Sequence, residues 1–475
     1  MRRELRVIPF QLSDVLAACE GRLAREANCG ELCRVSTDTR TLVQGDLFVA
    51  LSGPNHDGND FASRAVQAGA GALVLREAED LKLPAGEVPV VLCADPRLAL
   101  SQLAAWHRSR LQIPVVGITG SCGKTTTKNM LASLLGGYRR VVSSPASYNN
   151  DIGVPHTLFG AGASCEILVV EMGTNAPREI EALCRTAQPN GAIVTNVGAS
   201  HLAGLGSEEG VALEKGALPA SIGPEGWVVL NADSAWSDTL RARTAARVLT
   251  FGIEHAADVR ASDLHFEGEQ TTFQLDVPLV GISCQVRLPM LGQHAVANLL
   301  AALAACVGLG EDLHRVLEQV GTLRDGRGRM QRRQVGDLTL IDDSYNANPH
   351  SARAAVRVLM GIPASRRVLV LGDMHELGAV SAKEHRALGE FAARAKVEQL
   401  VTIGTEALDI ATGAGLAGMP TFSVRHFPSV ERASEAIHEF VGAGDVVLVK
   451  GSRAVGLEDL VQRIVQVFGG VIPVG

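Results

Sequence analysis

The sequence predicts an α/β protein of three domains, in which a central parallel-sheet domain lies between a small N-terminal α/β domain and a second α/β domain at the C-terminus. Three observations predict this fold class. The chain has 475 residues, too many for one hydrophobic core. Short apolar runs alternate with stretches of helical period, as in parallel sheets covered by helices. A glycine-rich turn joins one apolar run to a helix-like segment. The expected domains are residues 1–112, 113–328 and 329–475.

Strand and helix signals support the first two domains. In the first domain, DLFVAL and ALVL are typical of buried strands, while DFASRAVQAG and PRLALSQLAAWHRSR have helical spacing. In the second domain, IPVVGITG is a continuous apolar strand of the kind found in parallel sheets, and KTTTKNMLASLLGG continues as a helix that ends at glycines. ILVVEMG, AIVTNVG and WVVLNAD are further strands. Residues 261–291 alternate like antiparallel strands, and HAVANLLAALAACVGLG is an apolar helix.

The last third of the chain has the proportions of a Rossmann-like domain. LTLIDDSYNANP is a strand that leads into a loop, and RRVLVLGDM, QLVTIG and DVVLVKGSR are strands separated by amphipathic helices. GAGLAG, residues 413–418, matches the glycine pattern of dinucleotide-binding turns. However, it follows the helical stretch EALDIATG, whereas that fingerprint requires a preceding strand. We therefore do not expect NAD binding.

Composition excludes several classes of protein. The net charge is −7 and the basic residues form no block, so we expect no nucleic-acid partner. No apolar run is long enough to span a membrane, and no apolar region follows the arginines of MRRELRVIPF, so we expect neither a membrane span nor a secretory signal. The nine cysteines lack the paired spacing of a zinc site, which predicts reduced thiols and a cytoplasmic location.

The segment GITGSCGKTTTK is the strongest indication of function. An apolar strand, a glycine turn and a helix follow one another, and a helix N-terminus offers free N–H groups and a positive dipole end to phosphates. Lysine would reach the terminal phosphates of ATP, and the following threonine hydroxyl would coordinate Mg²⁺. The loop thereby predicts a P-loop-type ATPase domain. The residues expected to bind ATP are Gly120, Ser121, Cys122, Gly123, Lys124, Thr125 and Thr126.

The loop is shorter than an ordinary P-loop, and its T-G-x-x-G-K-[ST] form resembles the ATP-dependent Mur ligases and the related folylpolyglutamate synthetases. Further motifs carry this resemblance over almost the whole chain in the family's order: VSTDTRTLVQGDLFVAL, SYNNDIGVP, EMG, NVGASHLAGLGSEEGVALEKG, GQHAVANLLAA and DGRGRM. The family phosphorylates a carboxylate, which an amine then attacks. Three departures are Cys122, where serine or asparagine is common, Ala217, where the family has glutamate after Lys-Gly, and GPNHDGNDF, where G-x-x-x-D-G-H-D-F is more usual.

The resemblance implies a role for each motif. Groups implied for the uridine-diphosphate substrate are Ser36, Thr37 and Arg40, with Asn149 and Asn150 for its muramoyl sugar and phosphates. Ligands implied for two Mg²⁺ ions are Thr125, Glu171, His201 and Lys215, the last as a carbamate. Further nucleotide contacts implied are Asn298 on the adenine and Arg327. Lys124, His201 and Lys215 are the expected catalytic residues. Taken alone, Lys215 is more typical of a solvated helix lysine beside Glu214.

DDSYNANP, LGDMHELG and VKGSR best resemble the branch of the family that joins D-alanyl-D-alanine to a UDP-N-acetylmuramoyl tripeptide. Asp343 and Tyr345 are then expected at the ribose or adenine. Asn346 and Asn348 are expected at the dipeptide, although Asn-Ala-Asn-Pro could equally be a turn that caps its own backbone. We expect a monomer. The alternatives are a related ligase that adds a single amino acid, and a non-catalytic ATP-binding switch.

Overall fold

The computed structural model describes residues 8–469, so the arginines near the start of MRRELRVIPF lie outside the described residues. The first sheet has five strands in the order β1-β5-β4-β3-β2, all parallel except the antiparallel edge strand β1. Its elements are α1 (Leu12–Cys19), β1 (Arg22–Arg25), β2 (Val35–Ser36), β3 (Leu47–Val49), α2 (Ala62–Gln67), β4 (Ala72–Arg76), β5 (Val90–Cys93) and α3 (Pro96–Ser109).

The second sheet has nine strands in the order β14-β13-β12-β11-β10-β9-β6-β8-β7. The strands from β12 to β7 along this order are parallel, whereas β12, β13 and β14 pair antiparallel. Its elements are β6 (Val115–Thr119), α4 (Lys124–Gly136), β7 (Val141–Ser143), α5 (Gly153–Phe159), β8 (Ile167–Glu171), α6 (Glu179–Ala187), β9 (Gly191–Val194), α7 (Leu202–Leu205), α8 (Glu208–Lys215), α9 (Ala217–Ala220), β10 (Trp227–Asn231), α10 (Ser237–Arg241), β11 (Arg247–Gly252), β12 (Val259–Glu267), β13 (Gln270–Val277), β14 (Ile282–Leu288), α11 (Gln293–Gly308) and α12 (Leu313–Leu317).

The third sheet has six strands in the order β15-β16-β20-β17-β18-β19, parallel except for the antiparallel edge strand β15. Its elements are β15 (Gln331–Val335), β16 (Leu338–Asp343), α13 (Pro349–Gly361), β17 (Arg366–Gly372), α14 (Ser381–Arg394), β18 (Gln399–Ile403), α15 (Leu408–Leu416), β19 (Val424–Phe427), α16 (Val430–Glu435), β20 (Asp445–Lys450) and α17 (Leu457–Phe468).

The central sheet is buried on both faces, which explains why its strands are continuous apolar runs. On β6, Val116 and Ile118 pack into the core beneath α4 and α11, whereas Val115 packs with residues of α6 and α9 on the opposite face. Alternate side chains of a strand point to opposite faces of a sheet, so both faces of a covered parallel sheet must be apolar.

The three-sheet α/β architecture confirms the predicted fold class. The predicted boundaries at 112/113 and 328/329 fall between the last element of one sheet and the first strand of the next. GAGLAG begins inside α15, so no strand leads into it, as expected. Within residues 8–469, no helix is long and apolar enough to cross a membrane.

Candidate active site

A cavity of about 1970 Å³ lies between the central and C-terminal domains. The turn after β6 and the segments after β8 and β9 form its central-domain wall, and the segments after β16, β17 and β20 form the opposite wall. These are the carboxyl ends of parallel strands, where α/β proteins bind ligands. The position of this cavity therefore makes it the candidate active site.

The glycine loop has a backbone that only glycine adopts comfortably. Gly120 has φ +147° and Gly123 has φ +82°, and a Cβ atom on Gly120 would lie 1.9 Å from the Thr195 hydroxyl oxygen. The next residues are tied to the segment after β9, because the Ser121 N–H donates to the Asn196 carbonyl (3.0 Å) and the Cys122 N–H donates to its side-chain oxygen (2.8 Å). The loop is therefore held rigidly at the N-terminus of α4, as a phosphate site requires.

Lys124 lies at the start of α4 and closes over this loop. Its Nζ donates to the Gly120 carbonyl at 2.6 Å. Burial in the cavity wall lowers the pKa of Lys124, although the nearby Glu171 carboxylate opposes this shift. The ammonium has no ion pair within 4.0 Å among the described residues, so phosphate oxygens would be its natural partners.

Glu171, at the end of β8, has the surroundings of a metal ligand. It is 1% exposed, and its Oε1 accepts hydrogen bonds from the Thr125 hydroxyl and the Asn149 amide, both at 3.0 Å. Its Oε2 has no hydrogen-bond partner, because the nearest cation, Lys128 Nζ, lies 3.5 Å away. A buried carboxylate oxygen without a hydrogen-bond partner, beside a threonine hydroxyl, is a suitable ligand for Mg²⁺. This ion takes few protein ligands and completes its coordination shell with water and phosphate oxygens.

His201 contacts a carboxylate of the C-terminal domain that the sequence analysis missed. Its Nδ1 lies 2.5 Å from Oε2 of Glu376, in the LGDMHELG motif, and the Ala203 N–H donates to the Glu376 carbonyl at 3.0 Å. The hydrogen bond with His201 lowers the pKa of Glu376. His201 and Glu376 both adopt left-handed backbone conformations, with φ of 55° and 66°. Such conformations in non-glycine residues cluster at functional sites, where the surrounding structure maintains them.

We expect Glu376→Gln to weaken the apparent Mg²⁺ affinity in steady-state assays by about tenfold, because a carboxylate that accepts from one ring nitrogen orients the other towards a metal. A Mg²⁺ titration of initial rates measures this. Glu406→Gln is the matched control, since Glu406 contacts Ser381 and does not line the cavity. Equal Mg²⁺ dependence in the wild type and Glu376→Gln would contradict the assignment.

Lys215 is buried, contrary to the solvated position that its local sequence favours. It is 1% exposed at the end of α8 and is not among the residues that line the cavity. Glu214 does not pair with it, because Glu214 accepts hydrogen bonds from the backbone N–H groups of Ile180 (2.7 Å) and Arg178 (2.7 Å). Burial, followed by the charge of Lys124, lowers the pKa of Lys215 well below its ordinary value. This shift favours the neutral amine over the ammonium, and the neutral form is the nucleophilic one.

Asp343 and Lys450 form an ion pair at the ends of β16 and β20. The Lys450 ammonium lies 2.7 Å from Asp343 Oδ2 and donates to the Asn346 carbonyl at 2.9 Å, and it is 3% exposed. Asp343 Oδ1 accepts from the Met330 N–H at 3.1 Å. Lys450 is a further residue that sequence reasoning missed, although it lies in the quoted VKGSR motif. The pair fixes the loop that carries Tyr345 and Asn346.

We expect Lys450→Met to lower the free energy of unfolding by about 3 kcal/mol, because it leaves a partly buried carboxylate without its partner. Urea denaturation measures the loss. The double variant Lys450→Met/Asp343→Asn should recover part of it, since no uncompensated charge remains. An unchanged midpoint in Lys450→Met would show that solvent already satisfies Asp343.

The remaining predicted residues divide between the cavity wall and other places. Asn149, Asn150, Asn298, Tyr345, Asn346 and Asn348 line the cavity. The side-chain oxygen of Asn348 also caps α13, because it accepts a hydrogen bond from the Ser351 N–H at 2.9 Å. For this oxygen, the alternative that Asn-Ala-Asn-Pro caps its own backbone is therefore correct. Asn150 similarly accepts from the Gly153 N–H at 2.8 Å.

Besides Gly120 and Lys215, four predicted residues lie outside the cavity lining. Ser36 is buried, the Thr37 hydroxyl lies 3.0 Å from His156 Nε2, and Arg40 is exposed and paired with Asp38. Arg327 is exposed, so the geometry gives its predicted nucleotide contact no support. The neighbouring Arg329 instead reaches the site: its Nη2 donates to the Thr125 hydroxyl at 2.9 Å and its guanidinium stacks on Tyr345 at 4.1 Å.

Three family models match in sequence order. One described as Mur ligase family, catalytic domain, matches residues 32–108, one described as Mur ligase middle domain matches residues 118–306, and one described as Mur ligase, glutamate ligase domain, matches residues 328–453. The chain belongs to the Mur ligase family. This confirms the resemblance read from the motifs, and most of the chain lies within the matched ranges.

Within the Mur ligase family, similar proteins share one name. The UDP-N-acetylmuramoyl-tripeptide–D-alanyl-D-alanine ligase of Escherichia coli K12 is 36% identical over 90% of this chain and 93% of that protein, and the Bacillus subtilis protein of the same name is 33% identical over 91% and 93%. A crystal structure of MurF from Acinetobacter baumannii superposes with a TM-score of 0.89 at 30% identity, covering 97% of this chain and all of that one. MurF from Thermotoga maritima in complex with ADP gives a TM-score of 0.80 at 27% identity, covering 91% and 97%.

Proposed function

We propose that this Mur ligase joins D-alanyl-D-alanine to the terminal carboxylate of a UDP-N-acetylmuramoyl tripeptide, with conversion of ATP to ADP and phosphate. One observation carries the proposal: the phosphate loop and Glu171 face the DDSYNANP and LGDMHELG segments across a single cavity. ATP-driven chemistry and the segments implied for the dipeptide thus share one space. The names of the relatives above support the same reaction.

The chain's own residues would prepare phosphoryl transfer mainly by positioning and neutralising charge. The loop N–H groups and Lys124 would hold the phosphates of ATP. Thr125 and Glu171 would hold one Mg²⁺ and His201 a second, and these ions would neutralise charge on the phosphates and the acyl phosphate. Arg329 would orient the Thr125 hydroxyl through its hydrogen bond, and Arg329 and Tyr345 together would line one side of the nucleotide site.

We assign Lys215 the role of a carbamate-bearing ligand. Its neutral amine would attack CO₂, forming an N–C bond and losing one proton, which converts a buried amine into an anionic oxygen ligand. Such a group would balance the positive charge of Lys124, which lowers the pKa of the Lys215 amine. Without this change, nothing would offset the electrostatic cost of burying an amine near the charge of a second lysine.

The terminal carboxylate of the tripeptide would receive the γ-phosphoryl group, and the free amine of the dipeptide would then attack the acyl phosphate and release phosphate. Ser36, Thr37 and Arg40 of the N-terminal domain (1–112) would bind the uridine diphosphate, and Asn149 and Asn150 the sugar. We propose that closure of the C-terminal domain (329–475) on the central domain (113–328) completes the site and excludes water. We also propose that the enzyme is monomeric and cytoplasmic.

ADP and phosphate release by purified protein tests this function, with UDP-muramoyl tripeptide and either D-alanyl-D-alanine or single amino acids as acceptors. We expect release only when tripeptide and dipeptide are both present, with the pentapeptide product seen by mass spectrometry. Release with a single amino acid would instead identify a different Mur-type ligase. ATP binding without turnover under any combination would favour a nucleotide-binding switch.

A further inference from the structure

Two arginines on α13 line the active-site cavity from the side of the C-terminal domain. Arg353 and Arg357 are four residues apart, so they are neighbours on one face of the helix, and both lie in the cavity wall. The helix itself contains no acidic residue. The mechanism above uses neither arginine, although each places a positive charge beside the space where the reactants would meet.

Most of the hydrogen-bonding capacity of Arg353 is not used by the protein. Its Nη2 donates to Oε2 of Glu384 on α14 at 3.0 Å, and among residues 8–469 this is its one side-chain hydrogen bond. A guanidinium has five N–H donors in a planar fork. The contact with Glu384 therefore holds the group in place and leaves donors that can form two parallel hydrogen bonds to the carboxylate of a ligand.

Arg357 is positioned by an aromatic ring and not by a carboxylate. Its guanidinium lies 5.5 Å from the ring centroid of Phe391 on α14, within the range of a cation–π contact. In the described part of the chain, no carboxylate lies within 4.0 Å of it. Like charges four residues apart destabilise a helix, and Glu384 offsets only one of these two charges. This face of α13 therefore has excess positive charge, which an anionic ligand would offset.

The other lysine and arginine side chains that the C-terminal domain contributes to the cavity wall already have partners. These partners are Asp343 for Lys450, Glu458 for Arg453 and the Thr125 hydroxyl for Arg329. The two arginines of α13 are therefore the cations of this wall that are best placed to bind a carboxylate.

The start of α13 contacts the phosphate loop, which determines how far the arginines lie from the reacting groups. Asn348, the cap of α13, donates from Nδ2 to the Ser121 carbonyl at 3.4 Å. Arg353 follows five residues later, and a helical rise of about 1.5 Å per residue places its backbone about 7.5 Å further along the axis. An extended dipeptide spans about 7 Å, and a single amino acid about half of that. The length of a dipeptide thus matches this separation better than that of a single amino acid.

We propose that Arg353, with Arg357 beside it, binds the free carboxylate of the acceptor dipeptide and so selects a dipeptide over a single amino acid. The proposal rests on the proposed function, in which the amine of the dipeptide attacks an acyl phosphate formed at the phosphate loop. D-alanyl-D-alanine has its amine and its carboxylate at opposite ends. With the amine at the loop, charge-assisted hydrogen bonds from the arginines would hold the other end, while Glu384 keeps Arg353 oriented. Both arginines bind and orient the acceptor and take no part in bond formation.

Acceptors with and without the carboxylate test the proposal on the intact enzyme. With saturating ATP and UDP-muramoyl tripeptide, we expect the wild-type KM for D-alanyl-D-alaninamide to be about 30-fold above that for D-alanyl-D-alanine, because a charge-assisted hydrogen-bonded pair is lost. Arg353→Gln should raise the KM for the dipeptide by a similar factor, change kcat by less than about threefold and leave the KM for the amide unchanged. A general structural defect would affect both acceptors equally.

Matched variants separate carboxylate binding from folding. Arg386→Gln removes an arginine of α14 that pairs with Asp409 at 2.8 Å outside the cavity lining, so both KM values should stay at the wild-type level. Arg357→Gln should raise the KM for the dipeptide by a smaller factor without lowering the unfolding temperature, since it relieves repulsion on α13. If Arg353→Gln fails to fold, Arg353→Gln/Glu384→Gln also removes the unpaired carboxylate and allows the same KM comparison.

Three results would contradict the proposal. Equal KM values for the dipeptide and its amide in the wild type would overturn it and leave the proposed function intact. A rise in the KM for the tripeptide, and not for the dipeptide, in Arg353→Gln would do the same. Absence of turnover with either acceptor in the wild type would overturn the proposed function, and the role of the two arginines with it.

Discussion

Replacing Lys124 with methionine is expected to lower the rate of ADP formation by about 10³-fold, because phosphoryl transfer depends on a positioned cation that neutralises the transferring group. Lys124 is the loop lysine, and its ammonium contacts the Gly120 carbonyl (2.6 Å) and no carboxylate within 4.0 Å among the described residues. The free energy of unfolding should be unchanged or slightly higher, since burial already lowers the pKa of this group. Initial rates and urea denaturation measure the two effects.

Lys128, one turn further along α4, is the matched control. Its ammonium is fully buried, donates to the Ser144 carbonyl at 2.7 Å and also contacts the Ala146 carbonyl. Lys128→Met should therefore lower stability, because it leaves buried carbonyls unsatisfied. If Lys124→Met lowered the free energy of unfolding and Lys128→Met did not, Lys124 would be the structural lysine and the roles assigned to the two residues would be wrong.

Replacing Lys215 with alanine is expected to lower activity by about 10²-fold or more, because the metal site proposed above would lose the anionic oxygen ligand of the carbamate. Short carboxylic acids such as acetate should restore part of the activity, since they supply a carboxylate and the truncation leaves room for it. Removal of CO₂ should lower wild-type activity and leave the variant unaffected. Assays with and without acetate and bicarbonate measure these effects.

Lys215→Met separates the chemical role of this residue from a structural one. Because burial and Lys124 lower the pKa of Lys215 well below its ordinary value, the charged form opposes folding. The unfolded chain then binds the proton of Lys215 more tightly than the folded chain does. Lys215 therefore lowers the free energy of unfolding at pH values below its ordinary pKa, and this loss becomes smaller as pH rises towards that pKa. Lys215→Met should thus unfold at a temperature no lower than the wild type at pH 7, while its activity falls as far as that of Lys215→Ala. Full activity of either variant would exclude a carbamate.

Local sequence was sufficient for the fold class and for much of the site. Strand and helix periods are properties of neighbouring residues, so the runs IPVVGITG and ILVVEMG predicted β6 and β8 within two residues of their observed bounds. Glu171 and the glycine loop follow the ends of these parallel strands. Strand ends of a parallel sheet meet at one edge, so their proximity could be expected before any coordinates.

What the sequence did not reveal depends on packing between domains. Arg329, rather than Arg327, reaches Thr125 across 204 positions, and Cys122 meets Asn348 across 226. Glu376 faces His201 from another domain. No local period encodes such contacts, because they depend on how two separately folded sheets lie against each other.

By itself, the sequence determined the three-domain α/β architecture, the phosphate loop and the family, because hydrophobic period, glycine conformation and motif order are written in neighbouring residues. Only the tertiary structure decided which charged groups are buried and what they face. Lys215 shows the difference: beside Glu214 it is typical of a solvated lysine, yet it is 1% exposed, and burial and the charge of Lys124 lower its pKa. Glu214 is engaged by backbone N–H groups at the start of α6, so the apparent pair does not form. Burial and long-range charge are sums over the whole fold, which no short stretch of sequence contains.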